Sequence, residues 1–239
     1  MTFQNFELKP HNSHYEGAYD DRELRWRRVC AIDKVQNLRT LMRGTPVDSV
    51  LEVGCGTGAV LAEVARRSVG KQHTGIDMAD PHMHMDSGAA ALQMLPYDGA
   101  AIPFPPDSFD LVYASHVVEH VPDPRGLLAE IFRVSKKLIY VEVPCELHIR
   151  TSHRALQSTV DIGHINAYTP ESFVILLQTA GLKVAETRLF DHSQAVHSFN
   201  TSRFRGAVKG LIRGALLSIS PVLASRTFTY HCGALCTKE

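Results

Sequence analysis

The chain has 239 residues, 44% of them hydrophobic, and its 25 Lys and Arg balance 25 Asp and Glu. That length supports one sizeable core, and the neutral balance argues against a broad nucleic-acid surface while leaving room for a local basic patch. No apolar run is long enough to span a membrane and no signal-type stretch opens the chain; Cys30, Cys55, Cys145, Cys232 and Cys236 form no Cys-x-x-Cys pair and read as reduced thiols, so the expectation is one cytoplasmic domain over residues 1–239.

Residues 1–46 form an N-terminal extension in which Tyr15 and Tyr19 precede Leu24, Trp26, Val29, Ile32, Leu38 and Leu41. The spacing predicts an amphipathic helix, with Tyr15 and Tyr19 placed to close as a lid over a ligand; simple packing of Tyr15, Tyr19 and Trp26 is the alternative. Asp48 to Ala59 then runs from an apolar strand into a glycine turn. Gly54, Gly56 and Gly58 remove side chains where a ligand touches backbone and where positive φ is needed, and a helix opening at Thr57 aims free N–H groups at that ligand. Glu52, at the strand end, repels a pyrophosphate but binds a cationic amino-acid or ribose group, which favours S-adenosylmethionine. Gly54-x-Gly56-x-x-Ala59 also satisfies a looser dinucleotide pattern.

Asp77 closes the next strand, where a carboxylate takes a pair of ribose hydroxyls. Strands are expected near 48–53, 72–77, 92–95, 110–115, 137–143 and 182–190, alternating with helices near 57–68, 82–90, 124–135 and 170–180. Alternation of this kind means parallel strands with helical crossovers. Asp123-Pro124 and Thr169-Pro170-Glu171 open two of the helices, and Ala180-Gly181 closes the second. Two substrate-side insertions, 145–168 and 191–225, fall outside this core. In the second, the apolar positions Val208, Leu211, Ile212, Ala215, Leu216 and Ile219 recur beside Arg203, Arg205, Lys209 and Arg213. They predict a helix over 203–219 that packs on the domain or, alternatively, lies on a membrane or covers a lipid-like substrate.

Three further blocks carry a resemblance: Tyr97 to Val112, with its acidic turn and proline-rich loop; Ser115 to Val121; and Gly163 to Glu171. With the glycine turn they cover about residues 48–190 and resemble the class I S-adenosylmethionine-dependent methyltransferases of small-molecule type, the methyltransferase-11-like domains. The resemblance implies an α/β fold with a Rossmann-like seven-stranded sheet, its last strand antiparallel, and helices on both faces. Arg226 to Cys232 is the candidate for that last strand. It also implies that Glu52, Gly54, Cys55, Gly56, Thr57 and Gly58 hold the methionine part of the cofactor under Tyr15, Asp77 the ribose, and Met78 the adenine. Asp98 would bind the adenine amino group with Gly99 and Ala100 bordering the ring, Ala100 replacing the usual glutamate. Ser115 and His116 would face the reacting methyl. Turn capping is the alternative for Asp77 and Asp98.

His116-x-x-Glu119-His120 with His164 downstream is the sharpest constellation among the 13 histidines. A helix there would put His116, Glu119 and His120 on one face. These are divalent-metal ligand types, and the set resembles the Glu-x-x-Glu-His arrangement of metal-dependent small-RNA 2′-O-methyltransferases and ubiquinone-pathway O-methyltransferases, with His116 in place of the first glutamate. Without metal, His116 or His164 serves as the general base and Glu119 and His120 as its supports. The expected function is methylation of a small-molecule acceptor, at a sugar or natural-product hydroxyl. RNA-end 2′-O-methylation with a divalent metal and catalytically silent cofactor binding are the alternatives.

Overall fold

The computed structural model describes residues 5–8, 19–80 and 85–238. Helix α1 (Asp21–Met42) opens on a capping box in which Asp20 accepts from Glu23 N–H and Glu23 reaches back. Then follow β1 (Ser49–Val53), α2 (Ala59–Arg66), β2 (Gln72–Asp77), β3 (Gln93–Pro96), β4 (Phe109–Ser115), α3 (Pro124–Val134), β5 (Ser135–Cys145), α4 (His153–Val160), α5 (Pro170–Thr179), β6 (Lys183–Phe190), α6 (Gln194–Ser198), α7 (Arg203–Ile219), α8 (Pro221–Thr227) and β7 (Tyr230–Thr237).

The seven strands form one sheet of order β3-β2-β1-β4-β5-β7-β6. β1 to β5 pair in parallel, and β7 inserts antiparallel to both β5 and β6. Alternation along the strands divides the core. Leu51, Val53, Val112, Ala114, Ile139 and Val141 pack under Leu128 and Ile131 of α3 and Phe173 and Leu177 of α5. Val50, Leu111, Tyr113, Leu138 and Tyr140 pack under Val35, Leu38 and Leu41 of α1 and Val64 of α2. The expected α/β sheet with helices on both faces is therefore present.

Several expected boundaries move. Helix α2 begins at Ala59, with Gly58 as its left-handed N-cap, rather than at Thr57. Of the helix expected over 82–90, residues 81–84 lie outside the described residues, and the rest shows a 3-10 turn at Ser87–Ala89 that opens where the Asp86 side chain caps Gly88 N–H. The last strand starts four residues later than expected. Arg226 and Thr227 close α8, which Pro221 and the Ser220 cap had already opened. Tyr15 lies outside the described residues, whereas Tyr19 stacks under the Arg27 guanidinium at 3.9 Å and Trp26 packs on Phe199 at 5.0 Å. Helix α7 forms as expected but buries only Gly206 and Arg213, leaving Phe204, Leu211, Ile212 and Ile219 exposed. Among the described residues no helix is long and apolar enough to cross a membrane.

Candidate active site

The parallel strands end on one edge, and there the turn after β1 opens. Gly54, Gly56 and Gly58 all have positive φ (76°, 50° and 75°). A Cβ on Gly54 would meet Val117 Cγ2 at 2.4 Å and one on Gly58 would meet Met94 Sδ at 2.6 Å, but one on Gly56 would have nothing within 4 Å among the described residues. Gly56 therefore presents bare backbone to a space a ligand can fill. That space is a cavity of about 470 Å³ lined by Glu52, the glycine turn, Lys34, Ser115, His116 and His164 among others. A contiguous one of about 370 Å³ runs past Tyr19, Asp77, Met78 and Asp80.

Glu52 is 2% exposed. Its Oε2 and the adjacent Tyr113 hydroxyl are sealed from solvent without a hydrogen bond of good geometry. Burial pushes the Glu52 carboxyl up to about 8, which the Tyr113 hydroxyl and the Lys34 charge offset only in part. Asp77 accepts from Gly56 N–H at 2.7 Å and Ala79 N–H at 3.0 Å, and its burial raises its pKa despite those donors. Each of its oxygens keeps a lone pair for a hydroxyl. Met78 is half exposed on the wall of the second cavity and fills the space beside Gly99. The Glu52 carboxyl on the cavity wall, the two Asp77 oxygens and the open face of Gly56 fit the methionine and ribose parts of S-adenosylmethionine.

Asp98 behaves otherwise. It is exposed and caps its own turn, accepting from Ala100 N–H at 2.9 Å and Ala101 N–H at 3.0 Å. The capping alternative is thus what the local geometry displays, and Asp98, Gly99 and Ala100 line neither cavity.

The loop after β4 is not the helix that would gather His116, Glu119 and His120 on one face. His116 has φ of 60°, and only Val118–His120 form a 3-10 turn. The histidines consequently divide between two clusters. In one, Glu119, His120 and His164 bring ligand atoms within 4.8 Å of one another. Among the described residues both oxygens of fully buried Glu119 lack a well-formed hydrogen bond, His116 Nδ1 standing 3.4 Å from Oε1, and burial pushes its carboxyl up to about 7. His120 Nδ1 faces the Gly163 carbonyl at 3.0 Å, and His164 Nδ1 faces Glu146 Oε1 at 2.9 Å. Burial lowers the His164 pKa, but the Glu146 hydrogen bond and the Glu119 and Glu146 charges raise it overall above 6.5. His116 joins the other cluster, with Glu142 and His231. Its burial, with Lys34 and neighbouring imidazoles, holds it well below the usual histidine range.

Sequence reasoning missed Lys34, Asn37, Glu142, Glu146, His192 and His231. Glu146 and His192 stood in the two insertions, and His231 in the expected last strand, so their regions were marked although their roles were not. A third cavity of about 980 Å³, beside His116 and His164, is walled by Phe204, Val208, Ile212 and Phe228 and by Arg150, Arg205 and Lys209.

A sheet of this order, with a glycine turn at the tip of β1 and an acid at the tip of β2, defines the class I methyltransferase fold. The profile of a family described as a methyltransferase domain matches residues 22–187, and the chain belongs to that family of class I S-adenosylmethionine-dependent methyltransferases. It is 30% identical over 128 residues to a trans-aconitate 2-methyltransferase of Deinococcus radiodurans, covering 53% of this chain and 49% of that protein. It is 28% identical over 162 residues to a malonyl-[acyl-carrier protein] O-methyltransferase of Salmonella typhimurium, covering 66% and 61%. The chain thus spans less than two thirds of the length of either of these curated relatives. Among solved structures, phosphoethanolamine N-methyltransferase 2 of Haemonchus contortus, in complex with S-adenosyl-L-methionine, superposes with a TM-score of 0.57 at 18% identity, over 85% of this chain and 52% of that one.

Proposed function

We propose that the chain transfers a methyl group from S-adenosylmethionine to an oxygen of a small molecule, a hydroxyl of a sugar or natural-product type. The observation that carries this reading is that His164, on the wall of the cavity that begins at the glycine turn, is paired through Nδ1 with Glu146 behind it. When bound, the cofactor supplies an electrophilic methyl on a sulfonium, and displacement then requires alignment and a sink for the acceptor proton. Glu52 receives the amino group of the methionine part, Gly56 lets it approach the backbone, and Asp77 accepts the ribose hydroxyls. His164 donates Nδ1–H to Glu146, which leaves Nε2 to take the hydroxyl proton, and the carboxylate steadies the imidazolium that results. The apolar walls and the Arg150, Arg205 and Lys209 cations of the third cavity favour an acceptor with an apolar body and an anionic group.

A second reading, methylation of an RNA 2′-hydroxyl with a divalent ion, draws on the same cations and on the buried Glu119 oxygens. Glu119, His120 and His164 fit such an ion by donor type and would hold it. The ion would supply Lewis acidity at the acceptor oxygen.

Both readings meet one experiment, in which the full chain is incubated with methyl-labelled S-adenosylmethionine and either anionic hydroxylated small molecules or short RNAs. Label in a small-molecule ether, insensitive to chelator, supports the first reading. Label in RNA that chelator abolishes supports the second. Cofactor binding without transfer to any acceptor would leave a silent binding domain, and saturable NAD binding would remove the assignment altogether.

A further inference from the structure

The sheet order makes β4, β5 and β7 neighbours, and their ends bring His116, Glu142 and His231 to one place. Pro144 pairs with His231, two residues beyond Glu142, so the Glu142 and His231 side chains leave the same face. His231 Nδ1 lies 2.7 Å from His116 Nε2, which in turn lies 3.4 Å from Glu142 Oε1. Donor atoms about 2.1 Å from a tetrahedral ion stand roughly 3.4 Å apart. One separation therefore already suits an ion, and the other needs to widen by roughly 0.7 Å through a turn of the His231 ring.

The far side of each group is also engaged. His116 Nδ1 faces Glu119 Oε1 at 3.4 Å, His231 Nε2 meets His192 Nε2 at 2.9 Å, and Glu142 Oε2 accepts from Asn37 Nδ2 at 3.1 Å and from the Tyr140 hydroxyl. Outer partners of this kind fix the rotation of a ligating ring or carboxylate before an ion arrives. Glu142 is 1% exposed, so its Oε1 has no solvent shell to lose.

We propose that His116, His231 and Glu142 bind a first-row divalent cation of the zinc or ferrous class, with a coordination position open to the cavity below the glycine turn. Two imidazoles and one carboxylate are the donor set of sites that keep a position for a water or a substrate oxygen. The three residues line the same cavity as Glu52 and Gly54, so an oxygen ligand on the ion would stand beside the bound cofactor. The assignment goes beyond methyl transfer and does not depend on it.

The test uses the purified full chain, stripped with chelator and titrated with Co(II) and then Zn(II). One equivalent of cobalt is expected to give the intense visible absorption of a four- or five-coordinate site, and zinc to displace it. In Glu142→Gln and in His231→Asn the zinc affinity should fall at least about 100-fold, while His120→Ala and His164→Ala retain it. Thermal melting and S-adenosylhomocysteine calorimetry on every variant establish that the fold remains. A chain that takes up neither metal overturns the site and leaves a hydrogen-bonded row of imidazoles. An ion lost from His120→Ala and His164→Ala but kept in Glu142→Gln overturns it too, by placing the ion in the other cluster. Metal uptake at this site without S-adenosylhomocysteine binding would support the ion site and count only against the methyl-transfer reading.

Discussion

At the scale of single residues, Asp77 and His164 have separable duties. The Asp77 carboxylate is prepositioned by Gly56 and Ala79, so Asp77→Ala should weaken S-adenosylmethionine binding by about 1.5–3 kcal/mol, measured by calorimetry, through loss of charged hydrogen bonds to the ribose. Unchanged affinity would place the ribose elsewhere. His164→Ala should instead leave cofactor affinity nearly intact and lower the transfer rate by about 10² to 10⁴. Because the Glu146 contact raises its pKa above 6.5, the rate should fall as pH drops through a point above 6.5. Glu146→Gln should move that limb to lower pH, and a limb that stays put would remove the dyad from the mechanism.

At the scale of elements, the glycine turn and the β4 loop show how much a backbone conformation decides. Gly58 has both a left-handed φ and a crowded Cβ position against Met94 and Ala89, whereas Gly56 has the φ alone. Gly58→Ala should therefore cost about 1–3 kcal/mol of stability, read from chemical denaturation. Gly56→Ala should cost about 1 kcal/mol but lose cofactor affinity, since its methyl enters the cavity. Equal stability losses would contradict this division. In the β4 loop, the left-handed φ of His116 ends any helical periodicity before Val118 and brings the imidazole Nε2 to Glu142 of β5 and His231 of β7, while Nδ1 stays 3.4 Å from Glu119 Oε1. The helical face expected from the spacing fails at that single residue.

At the scale of the whole molecule, burying Glu52 and Glu119 gives stability a particular pH dependence. Both are carboxyls whose folded pKa, about 8 and about 7, is raised above the ordinary 4.5 by desolvation. Their contribution to stability is complete below about 4.5 and is lost as pH rises through about 7 and 8. The cofactor-free chain should melt several degrees lower at pH 9 than at pH 6, and Glu52→Gln should flatten that slope. A cationic amino group brought to Glu52 would favour its charged form, so S-adenosylmethionine binding near pH 7 should release a proton, measured as a dependence of the binding heat on buffer ionisation enthalpy. Absence of proton release would separate Glu52 from the ammonium.

Much of this was legible without coordinates, and the rest could not have been. The positions of β1 to β6 and of α1, α2, α3, α5 and α7, the glycine turn, the acids at Glu52 and Asp77 and the caps at Asp123 and Thr169 were read from the chain because each depends on a period of two or 3.6 residues, or on a residue type within one turn of its partner. The capping role of Asp98, the late start of β7 and the exposed apolar face of α7 depend on which segments compete for the same surface. The histidine clusters depend on it most. His164 meets Glu146 across an insertion, and His116 meets Glu142 and His231 across three strands. Residues so distant in the chain come together only through the order and register of the sheet, which long-range packing decides and no local spacing encodes.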